Sequence, residues 1–487
     1  MEVVASPRVE PTVSEGAGHR VFATVFAAAC LFHLASSAGL AAVVDRSVWL
    51  AVAQLAVGAT AVGVIVSRRW RAGLVALCLA VLCSVWLEAP YVGNHWVLAG
   101  AVAGAYLTSA LWAARRGRGR WATFVPVGQL VLLAAYGFAA FAKLNSGFFD
   151  PAVSCAVFYQ DQMVTSWGLG GLSVSGHDVL GRAVAVGAVA VELSVPLLLV
   201  VRRTRAYGVA LAATFHWFLA LDLHQHFWDF TSVLFACFLL FLTADQHAAL
   251  ARLVGGAWTS NRLLRVLVVP VVGVWALTAT AAAALVPFDV GPGAAAAAAP
   301  LALLLATALW WTLGTALLVL VLVVVLRDRT VDTRRIRVAS PLLLVVPLLV
   351  VANGLTTYLE VKTGYAWNMY SNLRTVAGET NHLLVPGTWD VLGRQGDRVE
   401  VLASSDTGLV SDGTAEYVWS EFQEYARTHP QETVRYVRGG ETFEAPTLAD
   451  DPASAGTTGV VERRLLAFRS VDTSGQERCL AYFGPAR

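Results

Sequence analysis

The sequence predicts an all-α polytopic membrane helix bundle of about eleven spans with a small C-terminal α+β domain on the extracytoplasmic side. Three observations lead there. Of the 487 residues, 57% are hydrophobic and only 14% charged, against about a quarter charged in ordinary soluble proteins; mean hydropathy is +0.61. Apolar runs recur at a length near the ~20 helical residues that cross a ~30 Å hydrocarbon core. Arginines cluster in every second loop between those runs, and the intervening loops are nearly free of basic residues. The net charge of +2 says little as a total; its distribution carries the information.

Taken in order, residues 1–20 hold no apolar core of signal-peptide type, and their acidic, Pro- and Ser-containing composition predicts a disordered cytoplasmic tail. Spans follow near 21–43, 48–66, 72–88, 95–113, 122–143, 180–201, 206–221 and 229–244, the last two short enough to be tilted or partly embedded. Residues 21–245 form the membrane core, and 246–357 add spans near 265–286, 300–326 and 338–357, the Ala run at 294–299 beginning the second of these. The basic clusters are Arg68, Arg69 and Arg71; Arg115, Arg116, Arg118 and Arg120; Arg202, Arg203 and Arg205; Arg252, Arg262 and Arg265; and Arg327, Arg329, Arg334, Arg335 and Arg337. By the positive-inside rule they place the N-terminus in the cytoplasm and residues 358–487 outside. This last region is polar. "DRVEVLAS", "TVRYVRGG", "RRLLAFRSVD" and "RCLAYFG" read as strands, and "AEYVWSEFQEYART" as a helix with Val418, Phe422 and Tyr425 on one face.

Six cysteines show no CxxC pair and no metal spacing. Cys30, Cys78, Cys83 and Cys237 lie in apolar runs and read as small buried residues. Cys155 and Cys479 lie outside such runs and, under this topology, on the oxidising side. They are either two unrelated buried residues or a disulfide that staples the outer domain over the membrane core.

A few polar residues stand at membrane depth, where ionisable groups are costly and tend to face a bundle interior. Lys143 ends the fifth span in "YGFAAFAKLNSGFF", Glu192 sits mid-span in "VELSVPLLLV", His216 lies in the seventh span, and Asn94 and His95 open the fourth. Read singly, Lys143 is a snorkelling anchor or a desolvated base, His95 an interfacial residue or a ligand contact, and His216 a hydrogen-bonded core histidine or a cavity wall. Glu192 is too deep to snorkel and needs an internal polar partner, His216 being the first candidate. His224 and His226 stand between two aspartates, but their i,i+2 spacing in a short turn is weak for a metal site, and no metal is expected. Together, Lys143, His95, Asn94 and His216 are expected to surround one cavity open to the outer face.

"NHWVLAG", "YGFAAFAKLNSGFF", "VELSVPLLLV" and "FHWFLALDLHQHFWDFTSVLFACFLL", in this order and sidedness, resemble the vitamin K-dependent γ-carboxylase family, and more closely its bacterial branch, the horizontally transferred transmembrane (HTTM) domain. The likeness spans residues 21–245. It implies that Lys143 deprotonates a reduced naphthoquinone of the menaquinol or vitamin K type, with His95 and Asn94 positioning or protonating intermediates and His216 and Glu192 lining the quinol site. The spans at 265–357 and the short outer domain depart from the carboxylase, so a protein or peptide substrate is not implied. The expected partners are membrane lipid and a quinol, with no nucleic acid, and the expected location is the plasma (inner) membrane. The rival reading is a non-catalytic membrane protein whose outer domain binds a partner or the envelope. A transporter is disfavoured, since no inverted pair of Gly/Pro-broken spans is seen.

Overall fold

The computed structural model describes residues 13–36, 47–260, 292–328, 335–410, 413–454, 459–475 and 477–479. It is 63% helical. Helices α1 (Val13–Ser36), α2 (Val48–Val66), α3 (Trp70–Glu88), α4 (Asn94–Arg116) and α5 (Arg120–Phe141) are followed by two shorter ones, α6 (Ser146–Phe149) and α7 (Cys155–Ser166). Then come α8 (Asp178–Val200), α9 (Arg205–Leu219), α10 (Phe227–Phe238), α11 (Ala244–Ser260), α12 (Pro292–Arg327) and α13 (Val345–Leu355). Among the described residues, seven helices are long and apolar enough to cross a membrane, those within α1 to α5, α8 and α12.

Three expectations change here, and one falls outside the described residues. Helix α1 begins at Val13, so residues 13–20 are helical and not part of a disordered tail; 1–12 lie outside the described residues. The expected spans at 206–221, 229–244 and 338–357 contain helices of 15, 12 and 11 residues, shorter than the ~20 needed to cross a membrane. The span near 265–286 lies outside the described residues. Cys83 is exposed, whereas Cys30, Cys78 and Cys237 are buried; it lies on the exposed face of an apolar helix, with Leu79 and Trp86.

The chain divides into two compact units: Met1–Glu88, His95–Ala134 and Ser194–Val350 form one, and Ala89–Asn94, Ala135–Leu193 and Val351–Arg487 the other. In the first, α1 is the central helix, packing on α2, α10, α11 and α12. Phe22 and Phe26 stack on each other and Phe22 meets Trp121 and Phe124. Helix α10 and the 3-10 turn Leu239–Phe241 that follows are buried on every side, as a helix apolar all round must be. Polar side chains satisfy backbone groups that apolar surroundings would otherwise leave unpaired: Arg20 donates to the carbonyls of Val64 and Ile65 at the end of α2 (2.7 and 2.8 Å), and Gln129 donates to the Leu240 carbonyl (2.8 Å). Cations at a helix C-terminus also complement its dipole.

The second unit holds the sheet. A hairpin, β1 (Thr375–Val376) with β2 (Glu379–Thr380), precedes an antiparallel sheet of five strands. These are β3 (Arg398–Ser404), β4 (Ala415–Val418), β5 (Val434–Arg438), β6 (Glu441–Ala445) and β7 (Val471–Asp472), in spatial order β6-β5-β3-β4-β7. The predicted strands at "DRVEVLAS" and "TVRYVRGG" are β3 and β5. Helix α14 (Trp419–Thr428) lies on the sheet, and its Phe422 and Tyr425 pack with Val399, Val401, Val434 and Tyr436. Val418 is buried as expected, but as the last residue of β4. "RRLLAFRSVD" is not one strand: it begins in helix α15 (Val460–Leu465), Arg469 makes a single bridge, and Val471 and Asp472 form strand β7. In "RCLAYFG", residues 480–484 lie outside the described residues. Glu421 is buried in this unit, accepting from the Tyr91 hydroxyl and the Phe468 N–H at 2.7 Å each. Burial pushes its carboxyl up to about 7, against the pull of those two donors.

Candidate functional site

Helix α5 runs out at Phe141, and its last turn tightens: Ala142 N–H still bonds four residues back, to Phe138, while the N–H groups of Lys143 and Leu144 bond three back, to Ala140 and Phe141. Tightening of this kind satisfies terminal carbonyls. Asn145 then caps α6, accepting from the Phe148 N–H at 2.8 Å, and donates to the Ala142 carbonyl at 2.8 Å. This fixes the direction in which Lys143 leaves the helix. Its ammonium folds back to the Ala139 carbonyl (3.3 Å) and meets the Glu192 carboxylate of α8 at 2.8 Å. The two side chains are 8% and 12% exposed, so this pair is far less screened than a surface salt bridge.

Two sequence expectations change at this point. The polar partner of Glu192 is Lys143, not His216, and Lys143 does not project into water as a snorkelling anchor would. A carboxylate and a carbonyl are the contacts of an ammonium group.

Asn94 is buried, and its carboxamide oxygen accepts from the Trp367 N–H at 3.1 Å. That bond holds the backbone just before the sheet. Lys143, Glu192 and Asn94 belong to the second unit, and His95 and His216 to the first.

In the first unit His216 is buried, its ring edge-on to Phe215 and Phe230. His95 meets the same Phe230 edge-on. His95 also lies in a group that the sequence reading missed. Its Nε2 is 2.9 Å from Asp229 Oδ2 and 3.3 Å from His33 Nδ1, and His33 Nδ1 is 2.9 Å from the same Asp229 oxygen. The His33 ring stacks on Trp96 at 3.8 Å, which fixes its plane. Of the two aspartates flanking His224 and His226, Asp229 thus does meet histidines, but different ones. The Asp222 carboxylate instead accepts from the backbone N–H of His224 and Gln225.

Cys155 and Cys479 form a disulfide, with Cα atoms 4.9 Å apart. Asn372 braces it, accepting from the Cys155 N–H (2.8 Å) and donating to the carbonyls of Val153 and Glu477. The Glu477 carboxylate in turn accepts from Ser146 and Asn381. The short segment after Lys143 is therefore tied, covalently and by hydrogen bonds, to the sheet-bearing part of its own unit.

No family model matches the chain, and no curated protein or solved structure is significantly similar to it.

Proposed function

We propose that the protein is an HTTM-type integral membrane enzyme of the plasma membrane that oxidises a reduced naphthoquinone, with Lys143 as the base. The N-terminus is cytoplasmic and the sheet-bearing region extracytoplasmic. The observation that carries the reading is the buried Lys143–Glu192 pair. A structural anchor has no need of a carboxylate inside apolar helices, whereas a base needs somewhere to send and recover protons. In this scheme Lys143 passes a proton to Glu192, and the neutral amine takes the proton of a quinol hydroxyl. The overall reaction is quinol plus dioxygen giving quinone epoxide plus water. The Cys155–Cys479 bond supports the sidedness, because disulfides persist in oxidising compartments, and the alternating arginine clusters argue the same way.

The test is incubation of the purified protein with reduced naphthoquinone and oxygen, with mass-spectrometric detection of the epoxide. Epoxide formed by the wild type and absent with Lys143→Ala is the expected result. Equal yields from the two would remove Lys143 from the chemistry. No product from a folded wild type would leave the non-catalytic reading, with the outer region as a partner- or envelope-binding surface.

A further inference from the structure

We infer that His33, His95 and Asp229 form a binding site for a divalent first-row transition-metal ion. The claim goes beyond the quinol reading and does not depend on it: either can hold without the other. It also departs from the expectation, drawn from the sequence, that no metal is bound.

The first argument is the shape of the cluster. The three ligand atoms are separated by 2.9, 2.9 and 3.3 Å. A cation about 2.1 Å from each of them would subtend ligand–metal–ligand angles of roughly 90–105°. Those are the angles of three neighbouring positions on one face of an octahedron, or of a slightly compressed tetrahedron. Two imidazole nitrogens and one carboxylate oxygen suit zinc or ferrous iron and leave the opposite face open to water or a small ligand.

The second argument is how hydrogen-bond acceptors are used. Asp229 Oδ2 receives three groups at once: His33, His95 and the Ser36 hydroxyl. The other oxygen, Oδ1, is buried and has no hydrogen-bond partner among the described residues. A carboxylate serving only as a hydrogen-bond acceptor would spread three donors over two oxygens. Convergence of two ring nitrogens on one oxygen, with those nitrogens also 3.3 Å from each other, is what a common central ion produces. A buried oxygen lacking a partner is costly, and a metal held by both carboxylate oxygens of Asp229 would satisfy it.

The third argument is placement. The ligands come from three separate helix ends: His33 from the last turn of α1, His95 from the start of α4 and Asp229 from the first turn of α10. Trp96 holds the His33 ring, and Glu88 lies close enough to act on His33 electrostatically, adding negative charge beside the site. A buried group of this kind is not a chance surface cluster, and it favours a cation.

The probe is Co²⁺, whose visible ligand-field bands report coordination directly. Full-length protein in detergent, stripped with a chelator, should bind one Co²⁺ per chain, and one equivalent of Zn²⁺ should displace it. His95→Gln and Asp229→Asn should each weaken Co²⁺ binding at least a hundredfold, while His226→Gln leaves it unchanged. Two results would overturn the inference. One is wild-type protein that takes up no stoichiometric Co²⁺ at 100 μM, about the weak limit for a useful resident site. The other is binding that survives both His95→Gln and Asp229→Asn. The wild-type titration decides the matter even if a variant fails to fold.

Discussion

Separating what Lys143 and Glu192 do for the fold from what they do for chemistry requires removing them singly and together. At 2.8 Å the Coulomb attraction of two unit charges is about 6 kcal/mol with an effective dielectric constant near 20. Desolvation costs several kcal/mol per ion, so the intact pair contributes little net stability. Removing one partner is different, because the other charge is left buried, and about 3–5 kcal/mol should be lost. Lys143→Met and Glu192→Gln should therefore each destabilise strongly. The double variant Lys143→Met/Glu192→Gln should recover most of the loss, giving a coupling energy of about 5 kcal/mol or more. The assay is reversible unfolding of the four proteins in mixed micelles, with quinol turnover measured on the same samples. A folded but inactive double variant would tie the pair to chemistry. Single variants within about 0.5 kcal/mol of wild type, with no coupling, would refute the reasoning, since they would mean that both groups reach water without each other.

Glu421 should make the sheet-bearing region sensitive to pH. Its carboxyl is raised from 4.5 to about 7 by burial, so the folded state holds the proton more tightly than the unfolded chain does. Stability from this group is fully present below about 4.5 and is lost as pH rises through about 7, on the order of 3 kcal/mol at most. Thermal melts from pH 4.5 to 8.5 should show this slope, and Glu421→Gln should flatten it. Gly354→Ala places a methyl carbon 2.4 Å from the Phe138 ring; overpacking should cost about 1–3 kcal/mol, read as a lowered unfolding midpoint. Mass-shift labelling with a maleimide in SDS should find four thiols before reduction and six after. Cys155→Ser should lower stability by about 2–5 kcal/mol; six thiols before reduction would show that the bond is absent.

The membrane class was legible because it rests on composition and run length, which no tertiary contact alters. Strands β3 and β5 were legible for a similar reason: Val399 and Val401, and Val434 and Tyr436, alternate with exposed or half-buried neighbours. Glu192 announced a partner by its cost alone. Which partner it had was hidden, because Lys143 lies 49 residues earlier and the choice between Lys143 and His216 depends on how α8 is rotated. His33 gave no signal beyond being a lone histidine in an apolar run, and such residues are more often hydrogen-bonded core groups. A sharper clue was available in Asp229: an acid at the start of a wholly buried apolar segment must be answered by something cationic or polar. "RRLLAFRSVD" misled because its apolar residues alternate imperfectly and its first three residues end a helix that Leu466 closes in extended conformation.

The 324 residues separating Cys155 from Cys479 impose an order on assembly. At translation rates of about 5–20 residues per second, the Cys155 thiol waits roughly 15–65 seconds after its own synthesis before its partner exists. During that interval helices α8 to α13 and the whole sheet must be made. Cys155 is thus open to other oxidants and to wrong thiols for most of the protein's biogenesis. The bond, once closed, certifies that everything between the two cysteines has arrived. Chains stalled before Cys479 is made would retain a reactive Cys155, a chemical label by which a cell's quality control can tell unfinished molecules from finished ones.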